Sequence, residues 1–169
     1  MPREKVLSAD NQQGRLRQRL EPWYVAGFVD GEGSFHIALY EDPRMKTGWK
    51  SIPEFHVSQR QSSCSVLDDL VNFFGCGYVK ANHAKNPKDV TFVYVVRNRD
   101  DLLTKIIPFF KSHPLKTEKS FDFSWFEKVV RMMANDMHRT KAGMRRIIAT
   151  AYRMNGAGRY RRRIITAIT

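Results

Sequence analysis

The chain has 169 residues, of which 29 are Lys or Arg and 17 are Asp or Glu, so its formal net charge is +12 at pH 7. This length suits one compact domain, and so basic a balance is typical of proteins that bind a polyanion such as nucleic acid. No apolar run approaches the length of a membrane span, and the polar N-terminus lacks the apolar stretch of a signal peptide. We therefore expect neither a membrane protein nor a secreted one. The two cysteines, Cys64 and Cys76, are too few for a disulfide framework or a cysteine-rich metal site.

The first predicted element is a short apolar helix that begins at Pro22 and ends near Asp30. Proline suits the first helical position because its missing N–H would have no partner there. Gly31 and Gly33 follow, and we expect them to end the helix and to adopt backbone angles that other residues resist. Small residues on this helix would let a second helix approach its backbone closely. They are Ala26, Gly27 and Gly31.

Glu32 follows this helix, at a point where the last carbonyl oxygens have no partner within the helix. A carboxylate beside such carbonyls repels another anion and suits Mg²⁺, a hard cation that prefers oxygen ligands. The run VAGFVDGEG, from Val25 to Gly33, closely resembles the signature of the LAGLIDADG homing endonucleases. Glu32 stands where the family most often has Asp, which keeps the charge. The alternative is a buried core helix that ends in a glycine turn.

The resemblance implies an assembly and a metal site. In this family the signature helix packs against its counterpart across a twofold axis, and the last acidic residue of the signature binds the catalytic metal. Glu32 would therefore bind Mg²⁺, with the Gly31 carbonyl as a further ligand. The signature occurs once, as in the family members that act as homodimers, and a true twofold implies a pseudo-palindromic target. The implied dimer interface comprises Val25, Ala26, Gly27, Phe28 and Asp30.

Alternating apolar and polar residues predict two strands after the signature. The first runs from Ser34 to Tyr40, and the second runs from about Lys50 to Arg60 with an interruption at Pro53. Apolar side chains share one face of this pair, and polar side chains share the other. We therefore expect one face to pack on a core and the other to be open.

Two further helices and two further strands complete the predicted core. A helix with an apolar stripe begins at Ser65 and ends at Gly75, and strands follow over about 77–80 and 90–97. A third helix covers about 100–107. The order helix, strand, strand, helix, strand, strand, helix is an α+β arrangement. It matches the αββαββα LAGLIDADG homing-endonuclease fold, with its saddle-shaped antiparallel sheet, that the resemblance implies.

The C-terminal part of the chain holds most of the excess positive charge. Between Arg131 and Arg163, ten Lys or Arg residues stand against one acid, which accounts for nine of the twelve net charges. We expect Pro108 to break up the chain after the third helix, and extra helices over about 117–138 and 140–154. The chain then divides into a polar basic arm (1–20), a LAGLIDADG endonuclease core (21–138) and a basic C-terminal helix and tail (139–169) in the same compact protomer.

Two segments resemble other parts of the family's active site. The strand that ends FHVSQR resembles one carrying an active-site glutamine, so Gln59 would orient the attacking water. Strict alternation places Gln59 on the core side, so we expect it to need a strand end or a bulge to reach the scissile phosphate. The segment 108–119 resembles one carrying an active-site lysine, with Lys116 as the best match. Lys119 and Lys111 are the alternatives.

The polar face of the predicted sheet is the candidate DNA-binding surface, because base edges are read by side chains that donate and accept hydrogen bonds. A plain solvated face, and a solvated basic tail, are the alternatives. Strand alternation and the family's use of these strands select the base contacts, and the tail adds phosphate contacts. These residues are His36, Tyr40, Lys50, Glu54, His56, Ser58, Arg60, Lys80, Asn82, Arg159 and Arg161.

We therefore hypothesise a homodimeric, Mg²⁺-dependent endonuclease of the mobile-intron type that cuts double-stranded DNA at a long pseudo-palindromic site. The resemblance implies short 3′ overhangs. The protein would act on the DNA of its own genome, in a prokaryotic cytoplasm or encoded in an organelle. The main alternative is a non-cleaving binder on the same scaffold, either a maturase for intron RNA or a transcription regulator. A more distant alternative is a basic RNA-binding protein of the ribosomal type.

Overall fold

The structure is a computed structural model and describes residues 19–83, 86, 88 and 90–154. Its elements are α1 (Pro22–Glu32), β1 (Gly33–Glu41), β2 (Trp49–Arg60), α2 (Ser65–Phe74), β3 (Tyr78–Ala81), β4 (Thr91–Val96), α3 (Arg99–Asp101), α4 (Ile107–Ser112), α5 (Lys119–Ala134) and α6 (Lys141–Ala151). A π-helical segment, Leu102–Ile106, joins α3 to α4. Every helix in the described part of the chain is too short or too polar for a bilayer span. The predicted tail contacts Arg159 and Arg161 lie outside the described residues.

The four strands form one antiparallel sheet in the order β1-β2-β4-β3. Phe35 of β1 lies opposite Phe55 of β2, and Phe55 lies opposite Val96 of β4. Residues that are opposite each other point to the same face, so the register brings the apolar positions of the strands together. The order of the elements confirms the predicted α+β fold, and α5 and α6 are its additional C-terminal helices.

The helices cover one face of the sheet and bury its aromatic side chains. Phe35 and Phe55 are fully buried, and their ring centroids lie 5.2 Å apart. Phe110 of α4 and Phe126 of α5 pack on Phe35, with centroids at 5.5 Å and 5.3 Å. Such aromatic pairs stabilise the core beyond the burial of their area. The opposite face of the sheet carries the polar side chains that alternation predicts.

The end of α1 differs from the prediction. The helix continues to Glu32 rather than ending near Asp30, so Glu32 is its last residue. Gly33 follows with φ −81° and ψ 164°, which is extended backbone that any residue adopts. The prediction that the signature glycines need special backbone angles is therefore wrong for Gly33. Glycine is needed at this position because there is no room for a side chain. A Cβ there would lie 2.6 Å from the Cγ1 atom of Val29.

Two prolines interrupt their elements less than predicted. Pro53 lies within the continuous strand β2, opposite Ile37. Pairing with β4 begins at Phe55, so β2 has a neighbour only on the β1 side at Pro53, where a missing N–H is tolerated. Pro108 lies in the first turn of α4, directly after the π-helical segment. Helical structure therefore passes through Pro108, because the first turn of a helix does not need the N–H that proline lacks.

Candidate functional site

The carboxyl end of α1 brings a carboxylate and an ammonium together. Glu32 is the last residue of α1, and it is exposed. Lys119, the first residue of α5, donates from Nζ to the carbonyl oxygen of Val29 at 2.9 Å and to that of Gly31 at 3.2 Å. A lysine thus binds carbonyls of the last helical turn, that of Val29 in addition to its bond from the Gly33 N–H, at the end of the helix where its dipole favours a cation. Burial lowers the pKa of Lys119, and the nearby carboxylates of Asp30 and Glu32 oppose that shift.

Asp30 fastens the chain that leads into α5 to the end of α1. Its Oδ2 atom accepts from the backbone N–H of Lys116 at 2.8 Å, and its Oδ1 atom accepts from the hydroxyl of Thr117 at 2.7 Å. The backbone N–H of Thr117 also donates to Asp30. Burial raises the pKa of Asp30, but the hydrogen bonds from Thr117 and Lys116 outweigh it, so the net shift is downward. A charged Asp30 therefore fixes the segment from which Lys119 reaches α1.

This geometry distinguishes the three candidate lysines. Lys116, the predicted catalytic lysine, contributes its backbone N–H to Asp30 while its side chain is exposed. Lys111 pairs instead with Glu127, at 3.3 Å between Nζ and Oε1. Among the three, Lys119 is the one whose ammonium lies on the end of α1. The contact joins residues 88 positions apart, and the identity of the catalytic lysine stays a prediction.

Gln59 lies on the core side of β2, as alternation predicts, but this does not separate it from Glu32. Gly33, the first residue after α1, lies opposite Val57 of β2. Because the strands are antiparallel, Gln59, two residues beyond Val57, lies level with the last turn of α1. The helix packs against β1 and β2 on this same face. Gln59 is half-buried, one residue before the end of β2. The strand end that we expected Gln59 to need is therefore present, with no bulge in its pairing to β4.

One face of α1 is open. The face is formed by residues at helical spacing that are exposed or half-buried, namely Tyr24, Gly27, Phe28 and Gly31. A Cβ built on either glycine would meet no atom of the protomer within 4 Å. The rings of Tyr24 and Phe28 stack beside them, with centroids 5.9 Å apart. A second helix could therefore approach the backbone of α1 closely along this face.

Of the five predicted interface residues, two lie on this open face, and three are engaged within the protomer. Gly27 and Phe28 lie on the open face. Val25 and Ala26 lie in the protomer core, with 0% and 4% of their surface exposed, and Asp30 holds the segment before α5. Tyr24 lies on the same open face but was not among the predicted interface residues, although its spacing from Gly27, Phe28 and Gly31 follows the helical repeat.

The register brings the predicted base contacts to one face of the sheet. His36 lies opposite Glu54, and Tyr40 lies opposite Lys50. The remaining positions follow by alternation along β2 and through the pairing of β4 with β3. They are His56, Ser58, Arg60 and Lys80, with Asn82 just beyond β3. The surface formed by these residues is called the polar sheet face below.

Glu54 is the exception on this face, because it is only 5% exposed. Its Oε2 atom lies 2.7 Å from Nε2 of His56, and its Oε1 atom pairs with Nε of Arg97. Burial raises the pKa of Glu54, but hydrogen bonds and charge from His56 and Arg97 outweigh it, so the net shift is downward. Arg97 was not among the predicted contacts. The signal for it was its place directly after β4, opposite Glu54 when the pairing is continued by one residue.

The oxygen atoms at the end of α1 are suitable ligands for a hard divalent cation. The exposed Glu32 carboxylate is of the type that Mg²⁺ prefers, as is the neighbouring Gly31 carbonyl, which in this structure accepts a hydrogen bond from Lys119. Within the described residues, one protomer has no group of three or more His, Cys, Asp or Glu side chains that could hold a metal by itself.

Comparison with known proteins shows which family shares this sequence and fold. The model of the LAGLIDADG endonuclease family matches residues 25–130. The crystal structure of the homing endonuclease I-TnaI is 39% identical, with a TM-score of 0.79, and the match covers 89% of this chain and 99% of that one. The structure of I-SmaMI bound to an uncleaved DNA target in the presence of calcium ions is 34% identical, with a TM-score of 0.75. That match covers 80% of this chain and 45% of that one.

Curated proteins with similar sequences include named endonucleases. Probable intron-encoded endonuclease 3 of Neurospora crassa is 31% identical over 137 residues, which are 81% of this chain. The chain spans between 25% and 28% of the length of the first three curated relatives that it matches. The family match extends from the signature helix through the sheet into α5, so it includes both Glu32 and Lys119. The chain belongs to the LAGLIDADG endonuclease family.

Proposed function

We propose that the protein is a homodimeric, Mg²⁺-dependent endonuclease that cuts double-stranded DNA at one long pseudo-palindromic site, as homing of a mobile intron requires. The observation that carries this proposal is the end of α1, where the exposed Glu32 carboxylate lies beside the Lys119 ammonium. A carboxylate in a surface that faces phosphate weakens binding unless a cation accompanies it. Its presence supports cleavage rather than recognition alone.

The open face of α1 supports a twofold dimer. Gly27 and Gly31 leave room for the same face of a second protomer, and Tyr24 and Phe28 supply apolar area beside them. A twofold axis along this face would bring two Glu32 carboxylates close to each other. Two such carboxylates repel each other, so a bound cation would stabilise the dimer as well as the active site.

The residues at this end of α1 have distinct parts in phosphodiester hydrolysis. Glu32 and the Gly31 carbonyl would hold Mg²⁺, which supplies charge neutralisation and polarises the attacked phosphate. Lys119 would place a positive charge where negative charge develops in the transition state. Gln59 would orient the attacking water. Asp30 positions Lys119 through the Lys116–Thr117 backbone.

The polar sheet face would lie on the DNA. Two copies related by a twofold would follow two half-sites, which accounts for a pseudo-palindromic target, and each protomer would cut one strand to leave short 3′ overhangs. The matched relatives named as intron-encoded suggest that the target lies in DNA of the protein's own genome, in an organelle or a prokaryote. Intron RNA is the alternative ligand, since a non-cleaving member of the scaffold could use the same face.

The proposal is tested by cleavage and binding assays in parallel. A library of randomised duplexes and intron-less genes is presented to the wild type and to Glu32→Gln, with and without Mg²⁺. We expect the wild type to cut one long pseudo-palindrome, and the variant to bind the same site while its cleavage falls by roughly 100-fold or more.

Glu118→Gln is the matched control, because Glu118 is exposed and close in the chain to Lys119. It should cut like the wild type. Binding without cutting, equal in the wild type and Glu32→Gln, would overturn the endonuclease proposal, and intron RNA would be the next ligand to test.

A further inference from the structure

We propose that Arg97 reads a base edge in each half of the DNA target and that Glu54 positions it. This inference rests on the proposed function, because it takes the polar sheet face as the DNA-binding surface. It adds a specificity-determining residue that lies beyond the strands, and it gives Glu54 a role other than direct contact with a base.

Glu54 is placed to hold another side chain rather than to read DNA. The residue lies on the polar sheet face, yet 5% of its surface is exposed. Both of its carboxylate oxygens have a partner, Oε1 with Arg97 and Oε2 with His56. A carboxylate that is buried and paired at both oxygens is poorly accessible to a base, although it retains further lone pairs. A carboxylate bound on both sides instead fixes the orientation of the groups that bind it.

Arg97 is placed to present donors outward. Its Nε atom faces Glu54, and its side chain remains 42% exposed. Covalent geometry puts the two terminal nitrogens on the side of the planar guanidinium away from Nε. Those nitrogens form the fork that binds O6 and N7 of guanine in the major groove. An arginine already held by a carboxylate loses less conformational freedom on binding, which favours recognition.

The surroundings of Arg97 suit a nucleobase in the major groove. Arg97 and Glu54 lie in a surface depression with Tyr40, Lys50 and Ile52. Glu41 and the β1–β2 turn residues 42–44 also line it, and Asp42 there is paired with Arg44. Tyr40 is 55% exposed and offers an aromatic surface and a hydroxyl, and Lys50 adds positive charge. His36 lies opposite Glu54 on the neighbouring strand. The pair therefore lies in a row that crosses β1, β2 and the end of β4, at the centre of the predicted base contacts.

An ion pair that only stabilises the end of β4 would look similar, so the test must report on base preference. The full chain, carrying Glu32→Gln to prevent cleavage, is incubated with a randomised duplex library in Mg²⁺, and the bound sequences are read; every variant is made in this same background. The wild type, Arg97→Lys, Arg97→Ala and Glu54→Gln are compared. Arg139→Ala is the matched control, because Arg139 also pairs through Nε with a carboxylate, that of Asp136 at 3.0 Å, but lies outside the sheet.

We expect the wild type to select guanine at one position in each half-site. Both Arg97 variants should lose that preference by about 10- to 100-fold, with the other positions unchanged. Glu54→Gln should weaken the preference at the same position, although it leaves Arg97 in place. Arg139→Ala should select the wild-type sequence.

Thermal unfolding of each variant separates recognition from folding. A lower melting temperature and lower overall affinity for Arg97→Ala and Arg97→Lys, with an unchanged base profile, would overturn the proposal and leave the endonuclease proposal standing. Selection of no sequence by the wild type would overturn both.

Discussion

At the scale of single residues, the end of α1 is an arrangement of opposite charges around the carbonyls of its last turn. Lys119 binds the carbonyls of Val29 and Gly31, while Asp30 and Glu32 place negative charge beside its ammonium. Asp30 is engaged by backbone and hydroxyl donors, whereas Glu32 is exposed. The two signature carboxylates therefore differ in role because only one of them has its oxygens bound by the segment before α5.

The two neighbouring lysines provide a direct test of this arrangement. We expect Lys119→Met to lower the cleavage rate by roughly 100- to 1,000-fold, because it removes a positive charge from the site while methionine retains the apolar stem. Lys116→Met should lower the rate far less, since Lys116 contributes through its backbone N–H. Single-turnover cleavage with saturating Mg²⁺ measures both. Equal losses, or a larger loss for Lys116→Met, would show that the predicted lysine and not Lys119 completes the site.

Glu54 predicts a defined dependence of stability on pH. Its pKa is depressed in the folded chain, so its pairing with His56 and Arg97 stabilises the fold above the ordinary glutamate pKa of about 4.3. That contribution is lost as the pH falls through the lower, folded value. We expect Glu54→Gln to lower the free energy of unfolding by about 1 kcal/mol between pH 5 and 7, since the Arg97 partner is partly exposed. The difference from the wild type should shrink as the pH falls below about 4.

Urea unfolding of both proteins across this pH range is the measurement. Other carboxylates, Asp30 included, titrate alike in the two chains, so the difference between them isolates Glu54. A difference that stays constant down to pH 3 would contradict the charged pairing.

At the scale of elements, α1 is a helix with two contact faces. Val25 and Val29 are fully buried against the protomer's own sheet, whereas Gly27 and Gly31 face outward with empty space around them. A helix that is apolar on the inside and carries small and aromatic residues on the outside has a second packing surface. The glycines lower helix propensity, so their presence in α1 is better explained by close approach of another helix than by the protomer's own stability.

A larger side chain at Gly27 should therefore separate folding from assembly. We expect Gly27→Leu to leave the helical content and the protomer core intact, because a Cβ there meets nothing within 4 Å. The dimer should dissociate at least 10-fold more readily, since leucine prevents close helix contact. Sedimentation velocity over a range of concentrations, with circular dichroism, measures both effects.

Ala142→Leu controls for added apolar surface, because Ala142 is exposed on α6. It should sediment like the wild type. An unchanged dimer in Gly27→Leu would show that this face of α1 is not the interface.

At the scale of the whole molecule, the fold separates three surfaces. They are the open face of α1, the charged carboxyl end of α1 and the polar sheet face, to which the proposed function assigns assembly, chemistry and recognition. The aromatic core around Phe35 and Phe55 joins these surfaces rigidly, because α4 and α5 pack on the same rings. Substitutions can therefore affect assembly, chemistry or base preference one at a time.

The family, the order of the elements and the two faces of the sheet could be predicted from the amino-acid sequence. Each depends on local patterns: a nine-residue signature, the period of apolar residues and the residues that begin or end helices. Predictions from the same local patterns were wrong where contacts with surrounding residues determine the structure. Gly33 is required by the Cγ1 atom of Val29 rather than by its backbone angles, and helical structure passes through Pro108 because the preceding π-helical segment places that proline in the first turn of α4.

The contacts between distant side chains could not be predicted from the sequence and depend on how the elements pack. Lys119 reaches Gly31 across 88 residues, and Asp30 holds Thr117 across 87. The pairing of Arg97 with Glu54 depends on the register of β4 against β2. Several lysines or arginines satisfy a local pattern equally well, because charge and spacing along the chain do not specify distance in space. The packing of α5 against the end of α1, and the alignment of two strands, make that selection.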